Sequence, residues 1–471
     1  MLEDIIKERR RKLEKILKQG VNPYPSSAKR TALTAEVLEN FNRWEKSKKI
    51  LFLVGRLRAW RDQGGIIFAN LEDETGRFQL VFNEKQTKQF VSFKETLDIG
   101  DFVEVSGKLF KTKRGEKSLA VNSGRIISKS LRPLPTEWFG LKDAEERFRR
   151  RYLDLLLNPE VKTRLQKRSE ITGELRKLLW ADGFLEVETP MLQPMPGGAK
   201  AKPFKTRWEA LREDVYLRIA PELYLKRLLV GGFEKIFEIG KNFRNEGIDR
   251  EHYPEFTMLE LYWAYQDYSS LMKFTKKILL KLVKSLKLKS TVFNHPWQTF
   301  TFDEVLKKFT PHHFIHKSGA GFIKSSQRSN LSNLNPEEAA EIFKKEICPK
   351  LINPTFIIDY PAAISPLAKS SLKDSHLVER FQLVVNGWEL VNGYSELNNP
   401  EEQRRRLEEQ EKRYLAGDQE LSRVDQDFLE ALEYGMPPAA GLGIGIDRLV
   451  AILTESHGIR EIISFPMLKG K

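Results

Sequence analysis

Apolar residues recur every three or four positions over residues 2 to 19, with Ile5, Ile6, Leu13, Ile16 and Leu17 on one side and basic residues elsewhere. That spacing predicts an amphipathic helix, and Gly20 is placed to end it. After the break "NPYPSS" the period changes to two in five short runs, "ILFLVGRLRAW", "GIIFANLED", "GRFQLVFN", "GDFVEVSGKLF" and "KSLAVNSGRI". Alternation of this kind predicts half-buried strands. A helical stretch over residues 84 to 96 separates the third run from the fourth. Prolines in "LRPLPTEWFG" interrupt both periods and mark a linker. Beyond it, "DAEERFRRRYLDLLLNPEVKTRLQKRSEITGELRKLLWADGF" reads as helix and "FLEVETPML" as a strand closed by Pro190. Strand signals dominate residues 215 to 265 and 355 to 450, whereas 271 to 350 carry Lys-rich helical patterns and predict a helical insertion.

Five strands with one helix after the third is the layout of an oligonucleotide-binding (OB) barrel. The chain is therefore expected to be a multidomain α+β protein: an N-terminal amphipathic helix (1–22), an OB-fold β-barrel (23–135) and a larger catalytic-type domain (136–471). Such barrels commonly bind single-stranded nucleic acid by stacking bases on exposed aromatics and reading their edges with polar groups. Phe68 and Gln79 on adjacent strands, and Glu116 in the basic hairpin loop "KTKRGEKS", are the candidates, with Arg58 and Arg61 adding positive charge.

Length and charge narrow the classes. A chain of 471 residues with 40% hydrophobic composition exceeds the size at which one core usually keeps growing. The excess of 79 Lys and Arg over 65 Asp and Glu gives a net charge of +14, which favours a polyanionic partner. No run reaches the roughly eighteen apolar residues of a membrane span, and the N-terminus shows no targeting pattern, so a cytoplasmic protein is expected. One cysteine, Cys348, excludes an internal disulfide and reads as a packing residue. His312, His313 and His316 have no acidic or thiol partner close by in sequence and read as a solvated loop.

Two segments carry the chemistry. "FEIGKNFRNEGIDREHYPEFTMLELYWAY" places a charged loop between two strand patterns, longer than the two to five residues a hairpin needs. Long loops entering and leaving a buried sheet are usually functional. "PPAAGLGIGIDRLVAILT" runs small residues along a strand into an amphipathic helix beginning near Asp447, which puts Arg448 at a helix N-terminus, a setting that suits a phosphate. Its spacing is neither a P-loop nor a dinucleotide fingerprint.

"GFLEVETPML", "FEIGKNFRNEGIDREHYPEFTMLELY" and "GLGIGIDRLVAIL" resemble, in order, the three signature motifs of class II aminoacyl-tRNA synthetases. "RRRYLDLLLNP", "PGGAKAKPF", "YLRIAPELYLKRLLVGG", "YPAAISPLAKS" and "ELVNGYSELNNPEEQ" resemble segments of the lysyl-tRNA synthetases within that class. The resemblance implies an antiparallel-sheet catalytic domain with flanking helices, and lysylation of tRNA(Lys) through a lysyl-adenylate made from L-lysine and ATP with Mg²⁺. By the same resemblance Arg244 bridges the amino-acid carboxylate and the α-phosphate, Glu246 and Phe256 hold the adenine, His252 lies near the outer phosphates, and Arg448 stacks on the adenine and meets the γ-phosphate. Glu222 and the Gly198 carbonyl would bind the α-ammonium. Glu396 and Tyr262 would bind the ε-ammonium, with Glu260, Asn392 and Tyr394 completing the wall. Phe68, Gln79 and Glu116 would read the anticodon, with Arg58 and Arg61 on phosphates. An isologous homodimer is also implied.

The sequence departs from the family pattern at the metal site. Glu389 fits one of two glutamates that hold magnesium, but the other position is Gln382. In the charged loop Glu251 stands where arginine is common and Tyr253 where asparagine is common, with Arg250 one place earlier. Two competing functions are a ligase that lysylates a protein acceptor and an RNA-binding paralogue without catalysis; Gln382 is the feature that favours the second.

Overall fold

The computed structural model describes residues 2–135, 143–288, 291–309, 315–318, 321–324 and 335–468. It divides into two compact units, one ending at Asp143 and one beginning at Ala144. His312 and His313 lie outside the described residues, as does the part of the linker from 136 to 140.

In the first unit, β1 (Leu51–Asp62), β2 (Ile66–Glu72), β3 (Arg77–Asn83), β4 (Phe102–Lys111) and β5 (Lys117–Ser128) close a barrel in the order β1-β2-β3-β5-β4. Period-two alternation fills it: Leu51, Leu53 and Leu57 of β1 point inward with Leu80, Val105 and Leu119 of the other strands. Burying each such side chain contributes about 1.5–3 kcal/mol. The helix Phe90–Thr96 covers one end with Phe90 and Phe93, the latter edge-on to Phe82 at 5.7 Å. The N-terminal helix Leu2–Lys18 is part of this unit. Ile16 joins the barrel core, and the buried Arg9 donates to the carbonyls of Ile99, Ser130 and Arg132.

The second unit is built on an eight-stranded sheet. Its strands are β6 (Leu185–Glu186), β10 (Lys235–Phe243), β11 (Glu255–Ala264), β12 (Gln298–Thr301), β15 (Thr355–Pro361), β16 (Leu377–Val385), β17 (Trp388–Ser395) and β18 (Ala439–Gly445), in the order β12-β15-β16-β17-β18-β11-β10-β6. The five inner pairings are antiparallel, while β12–β15 and β10–β6 at the two edges are parallel. A small sheet of β7 (Leu192–Gln193), β8 (Lys205–Trp208) and β9 (Glu213–Leu217) and a hairpin of β13 (Ile315–Ser318) and β14 (Gly321–Lys324) complete the strands.

Two expectations meet a more detailed picture. Among the described residues of 271–350, the helix Tyr268–Ser285 buries Leu271, Phe274, Ile278 and Leu282 in the main core, and β12 is the sheet's edge strand. The exposed lysines of that helix hide its apolar stripe in the composition, and a four-residue edge strand is too short to show a period. "FLEVETPML" is not one continuous strand. Pro190 has no N–H to give a ladder, and only Leu185–Glu186 and Leu192–Gln193 pair, in different sheets.

Alternation gives the sheet two unlike faces. Phe237, Leu259, Leu261, Leu442, Ile444 and Val391 face the core with the helices Pro159–Ala181, Tyr268–Ser285 and Ile446–Leu453. The other face carries the polar residues that the next subsection describes.

Candidate active site

Register places the polar face residue by residue. Glu260 and Tyr262 of β11 pair with Gly443 and Gly441 of β18, and these with Asn392 and Tyr394 of β17, which pair in turn with Gln382 and Arg380 of β16. At Gly441 and Gly443 β18 has no side chains on this face, because there is little room for them. A Cβ on Gly441 would lie 2.3 Å from Glu396 Oε1 and 2.4 Å from Tyr262 Cε1, and one on Gly443 would lie 3.2 Å from Met258 Sδ. The small residues of "AAGLGIG" therefore make the floor on which the neighbouring side chains gather.

Beside this floor lies a cluster of three buried carboxylates, Glu222, Glu260 and Glu396. Glu222 opens the helix Glu222–Val230, where a negative charge suits the helix dipole. Lys226, one turn later and fully buried, places its ammonium 2.7 Å from Glu222 Oε1 and 2.5 Å from Glu396 Oε2. Tyr394 Oη donates to Glu222 Oε1 at 2.6 Å, and Tyr262 Oη donates to Glu260 Oε2 at 3.3 Å. Both oxygens of Glu396 are buried without a hydrogen-bond partner, and Oε1 also lacks the ion pair that Oε2 makes with Lys226. Burial, reinforced by the charge of Glu222, raises the pKa of Glu260 to about 8 against the opposing pull of Tyr262 and Arg244. Burial likewise raises Glu396 to about 8 although Lys226 opposes it. For Lys226, burial works against the charged form, yet Glu222 and Glu396 outweigh it and raise its pKa. Gly198, at φ +85°, is packed so closely that a Cβ would meet Glu222 Cβ at 3.0 Å and Ala220 Cβ at 3.1 Å. Only glycine lets the chain pass there.

A second group stands beyond Met258. The backbone N–H of Arg244 donates to the Pro254 carbonyl at 2.9 Å, closing the base of the charged loop, and its guanidinium lies 5.0 Å from the Phe256 ring. Arg244 Nε is buried and unpartnered, and its nearest charges include Glu246, Arg448, Glu260 and Glu389. Arg448 donates through Nη1 to the Glu389 carbonyl at 2.7 Å. Glu246 is exposed. His252 Nδ1 lies 2.7 Å from Asp249 Oδ2, and the His252 N–H donates to the other oxygen of that carboxylate, so Asp249 shapes the loop tip. Tyr253 is a core residue whose hydroxyl accepts the Met467 N–H, and Arg250 stacks on Trp388 at 5.0 Å.

Glu389 and Gln382 share one side of the β16–β17 hairpin, brought there by a bulge between Leu383 and Val384. Gln382 Oε1 accepts the buried Tyr360 hydroxyl at 2.6 Å. Among the described residues no group of three or more His, Cys, Asp or Glu gathers to hold a metal. One carboxylate and one amide oxygen fit a cation that brings most of its own ligands.

Sequence reasoning missed Lys226, Tyr360 and the ion pair that Arg168 makes with Asp447. Lys226 had one signal, its four-residue spacing from Glu222. Arg168 and Tyr360 act across long sequence separations that no local pattern shows.

On the barrel, Phe68 is half-exposed and pairs across the ladder with Arg61, while Gln79 pairs with Asn70 and donates to Ser118 Oγ at 2.8 Å. Ser118 Oγ in turn donates to the Glu116 carbonyl at 3.2 Å, in a hairpin loop whose Glu116 side chain is exposed. Arg61, Phe68, Gln79 and Glu116 thus share one outer surface. Arg58 stands apart: its guanidinium is shielded and paired with Glu72 at 3.3 Å.

A family model described as tRNA synthetases class II (D, K and N) matches residues 143–469, and one described as OB-fold nucleic acid binding domain matches residues 52–127. The lysine–tRNA ligase of Pelotomaculum thermopropionicum is 45% identical over 488 residues, spanning 100% of this chain and 96% of that protein. Lysine–tRNA ligase 2 of Methanosarcina acetivorans is 44% identical over 474 residues, spanning 97% of this chain and 93% of its own length. The lysine–tRNA ligase of Aquifex aeolicus is 44% identical over 453 residues, which are 92% of this chain and 75% of the relative.

Proposed function

The chain belongs to the class II tRNA synthetases (D, K and N), and from that premise we propose that it attaches L-lysine to tRNA(Lys) by way of a lysyl-adenylate. The observation that carries the choice of lysine is the carboxylate cluster: Glu222, Glu260 and Glu396 are buried together, and Lys226 is the one ammonium within ion-pair distance of them among the described residues. Two negative charges are left for the two ammonium groups of lysine. An aspartate or asparagine substrate would find like charge or unpaired carboxylates, a mismatch that discriminates strongly.

The first step joins a carboxylate oxygen of lysine to the α-phosphate of ATP and expels pyrophosphate; the second moves the lysyl group to the terminal ribose of tRNA and releases AMP. Neither step needs a nucleophilic side chain, so position and charge do the catalysis. The α-ammonium sits against Glu222 and the Gly198 carbonyl. The ε-ammonium sits against Glu396 Oε1 and the Tyr262 hydroxyl, with Glu260, Asn392 and Tyr394 as the wall. Arg244, unpartnered at Nε, meets the lysine carboxylate and α-phosphate, where negative charge builds. Phe256 and Arg448 hold the adenine from two sides, Glu246 its amine, and His252 the outer phosphates. Glu389 and Gln382 would hold Mg²⁺, which when bound offsets phosphate charge. Arg61, Phe68, Gln79 and Glu116 on the barrel read the anticodon, with Arg58 fixing strand β1 through Glu72. The working form is a cytoplasmic homodimer.

No helix among the described residues is long and apolar enough to cross a membrane. The matched barrel favours an RNA acceptor over a protein acceptor. The test is amino-acid-dependent exchange of labelled pyrophosphate into ATP without tRNA, over all twenty amino acids. Exchange with lysine alone is expected; exchange with aspartate or asparagine, or none, overturns the reading.

A further inference from the structure

The assignment of Glu222 to the α-ammonium and Glu396 to the ε-ammonium is the reading on which this inference rests. Lys226 touches both carboxylates with one nitrogen, at 2.7 Å and 2.5 Å, and its side chain is wholly shielded from solvent. The ammonium also lies 5.6 Å from the Tyr394 ring and 6.0 Å from the Phe428 ring, so aromatic faces close it in. Both bonds that hold Glu222 in place, from Lys226 and Tyr394, fall on Oε1, which leaves Oε2 for an incoming ammonium. On Glu396, Lys226 stands beside Oε2 while Oε1 is orphaned on the side of Gly441 and Tyr262. Each carboxylate thus meets Lys226 through one oxygen, by a hydrogen bond at Glu222 and by an ion pair at Glu396, and presents the other.

We propose that Lys226 is a positioning residue that sets the side-chain length the pocket accepts, because by binding both Glu222 and Glu396 it fixes the separation of the carboxylates that receive the two ends of the substrate. Ornithine, one methylene shorter, spans that separation only if one carboxylate moves. Movement breaks one of the two buried charged contacts of Lys226. An apolar pocket alone separates substrates that differ by one methylene by about 10–200-fold, and the clamp adds a polar penalty to it. Lys226 does not touch the reacting atoms; it acts through the two glutamates.

The experiment compares pyrophosphate exchange with lysine and with ornithine for the full-length protein, Lys226→Met and Lys226→Arg, together with KM for ATP and Tm. In Lys226→Met, the lysine KM is expected to rise roughly tenfold or more and the preference for lysine over ornithine to fall roughly tenfold, with KM for ATP within about twofold. Lys226→Arg keeps the charge but offers two separated nitrogens, so the lysine KM recovers towards the parent value while the preference stays reduced. If the Met variant does not fold, the Arg variant decides by the same ratio. Unchanged preference in the variants that fold overturns the proposal, as does a parallel loss for lysine, ornithine and ATP with a lowered Tm, the mark of a purely structural lysine. Absence of lysine-dependent exchange in the parent protein overturns the pocket assignment itself, before either variant is measured.

Discussion

Arg168 Nη1 lies 2.5 Å from Asp447 Oδ1, which ties the long helix Pro159–Ala181 to the residue immediately before Arg448. The other Asp447 oxygen accepts the Thr257 N–H at 2.7 Å, and Arg168 Nη2 donates to Thr257 Oγ1 at 2.9 Å. Three elements therefore meet at one carboxylate; Arg448 follows Asp447 in sequence and Phe256 precedes Thr257. Asp447→Ala should cost about 3 kcal/mol of stability, since Arg168 and the Thr257 N–H lose their partner together. It should also raise KM for ATP more than KM for lysine in pyrophosphate exchange. An unchanged ATP KM would show that the junction does not orient the nucleotide residues.

The raised pKa values of Glu260 and Glu396 make the protein pH-sensitive in a defined direction. Both lie near 8 in the fold against 4.5 for an ordinary glutamate. The unfolded chain loses these protons first, so the stability they contribute is full below pH 4.5 and is lost as pH rises towards about 8. Lysine works the other way. Its ammonium groups favour the ionised carboxylates, so binding near neutral pH expels protons. The lysine KM should fall between about pH 6.5 and 8.5, and calorimetry in two buffers should report proton release. Glu260→Gln should flatten that slope; a pH-independent lysine affinity in the parent protein contradicts the reading.

The glycine floor gives a steric prediction. Gly441→Ala would place a methyl group 2.3 Å from Glu396 Oε1 and 2.4 Å from Tyr262 Cε1, so the pocket wall must shift. Overpacking of this size costs about 1–3 kcal/mol. The cost should appear as a roughly 5–150-fold rise in lysine KM with ATP binding preserved. Gly443→Ala, whose nearest obstacle is the flexible Met258 side chain at 3.2 Å, should be milder, and an inverted order would place the substrate elsewhere.

The barrel can be separated from the catalytic chemistry by one substitution. Phe68 is half-exposed beside Arg61 and along the same outer surface as Gln79. Loss of one base–aromatic stack costs about 1–3 kcal/mol, so Phe68→Ala should lower kcat/KM for tRNA charging roughly 5–150-fold and leave pyrophosphate exchange unchanged. Equal loss in both assays would remove Phe68 from the anticodon surface.

Much of this site was legible because strands advertise themselves twice, by period and by what the period exposes. β10 announced itself by alternation, β11 by a run of aromatic and branched residues without Gly or Pro, and the charged loop between them by its excess length. β18 could be read from glycines at every second position. Where the reading fell short, the physics was non-local. Leu271, Phe274, Ile278 and Leu282 make a buried stripe on a helix whose lysines dominate its composition. Tyr253 looked like a loop residue, yet it anchors the chain at Met467. Lys226 looked like any helical lysine; only the fold shows that Glu396, far away in sequence, arrives beside it.

Gln382 is the residue whose consequence is sharpest. Its amide oxygen accepts the hydroxyl of Tyr360, which is 2% exposed and has the Arg380 guanidinium 4.6 Å from its ring. An amide oxygen carries no net charge, and here it is already engaged, so it is a weak ligand for a hard cation. Glu389 then supplies the only carboxylate of the pair. Gln382→Glu would restore a charge while one carboxylate oxygen keeps the Tyr360 hydrogen bond and the other turns to the cation. The magnesium concentration for half-maximal pyrophosphate exchange should fall several-fold, with the rate at saturating magnesium little changed. An unchanged half-point would mean that the nucleotide brings its magnesium with ligands enough and position 382 does not touch it. Loss of exchange at every magnesium concentration would mean that Gln382 works as an amide, donating its N–H to a phosphate oxygen that a carboxylate repels.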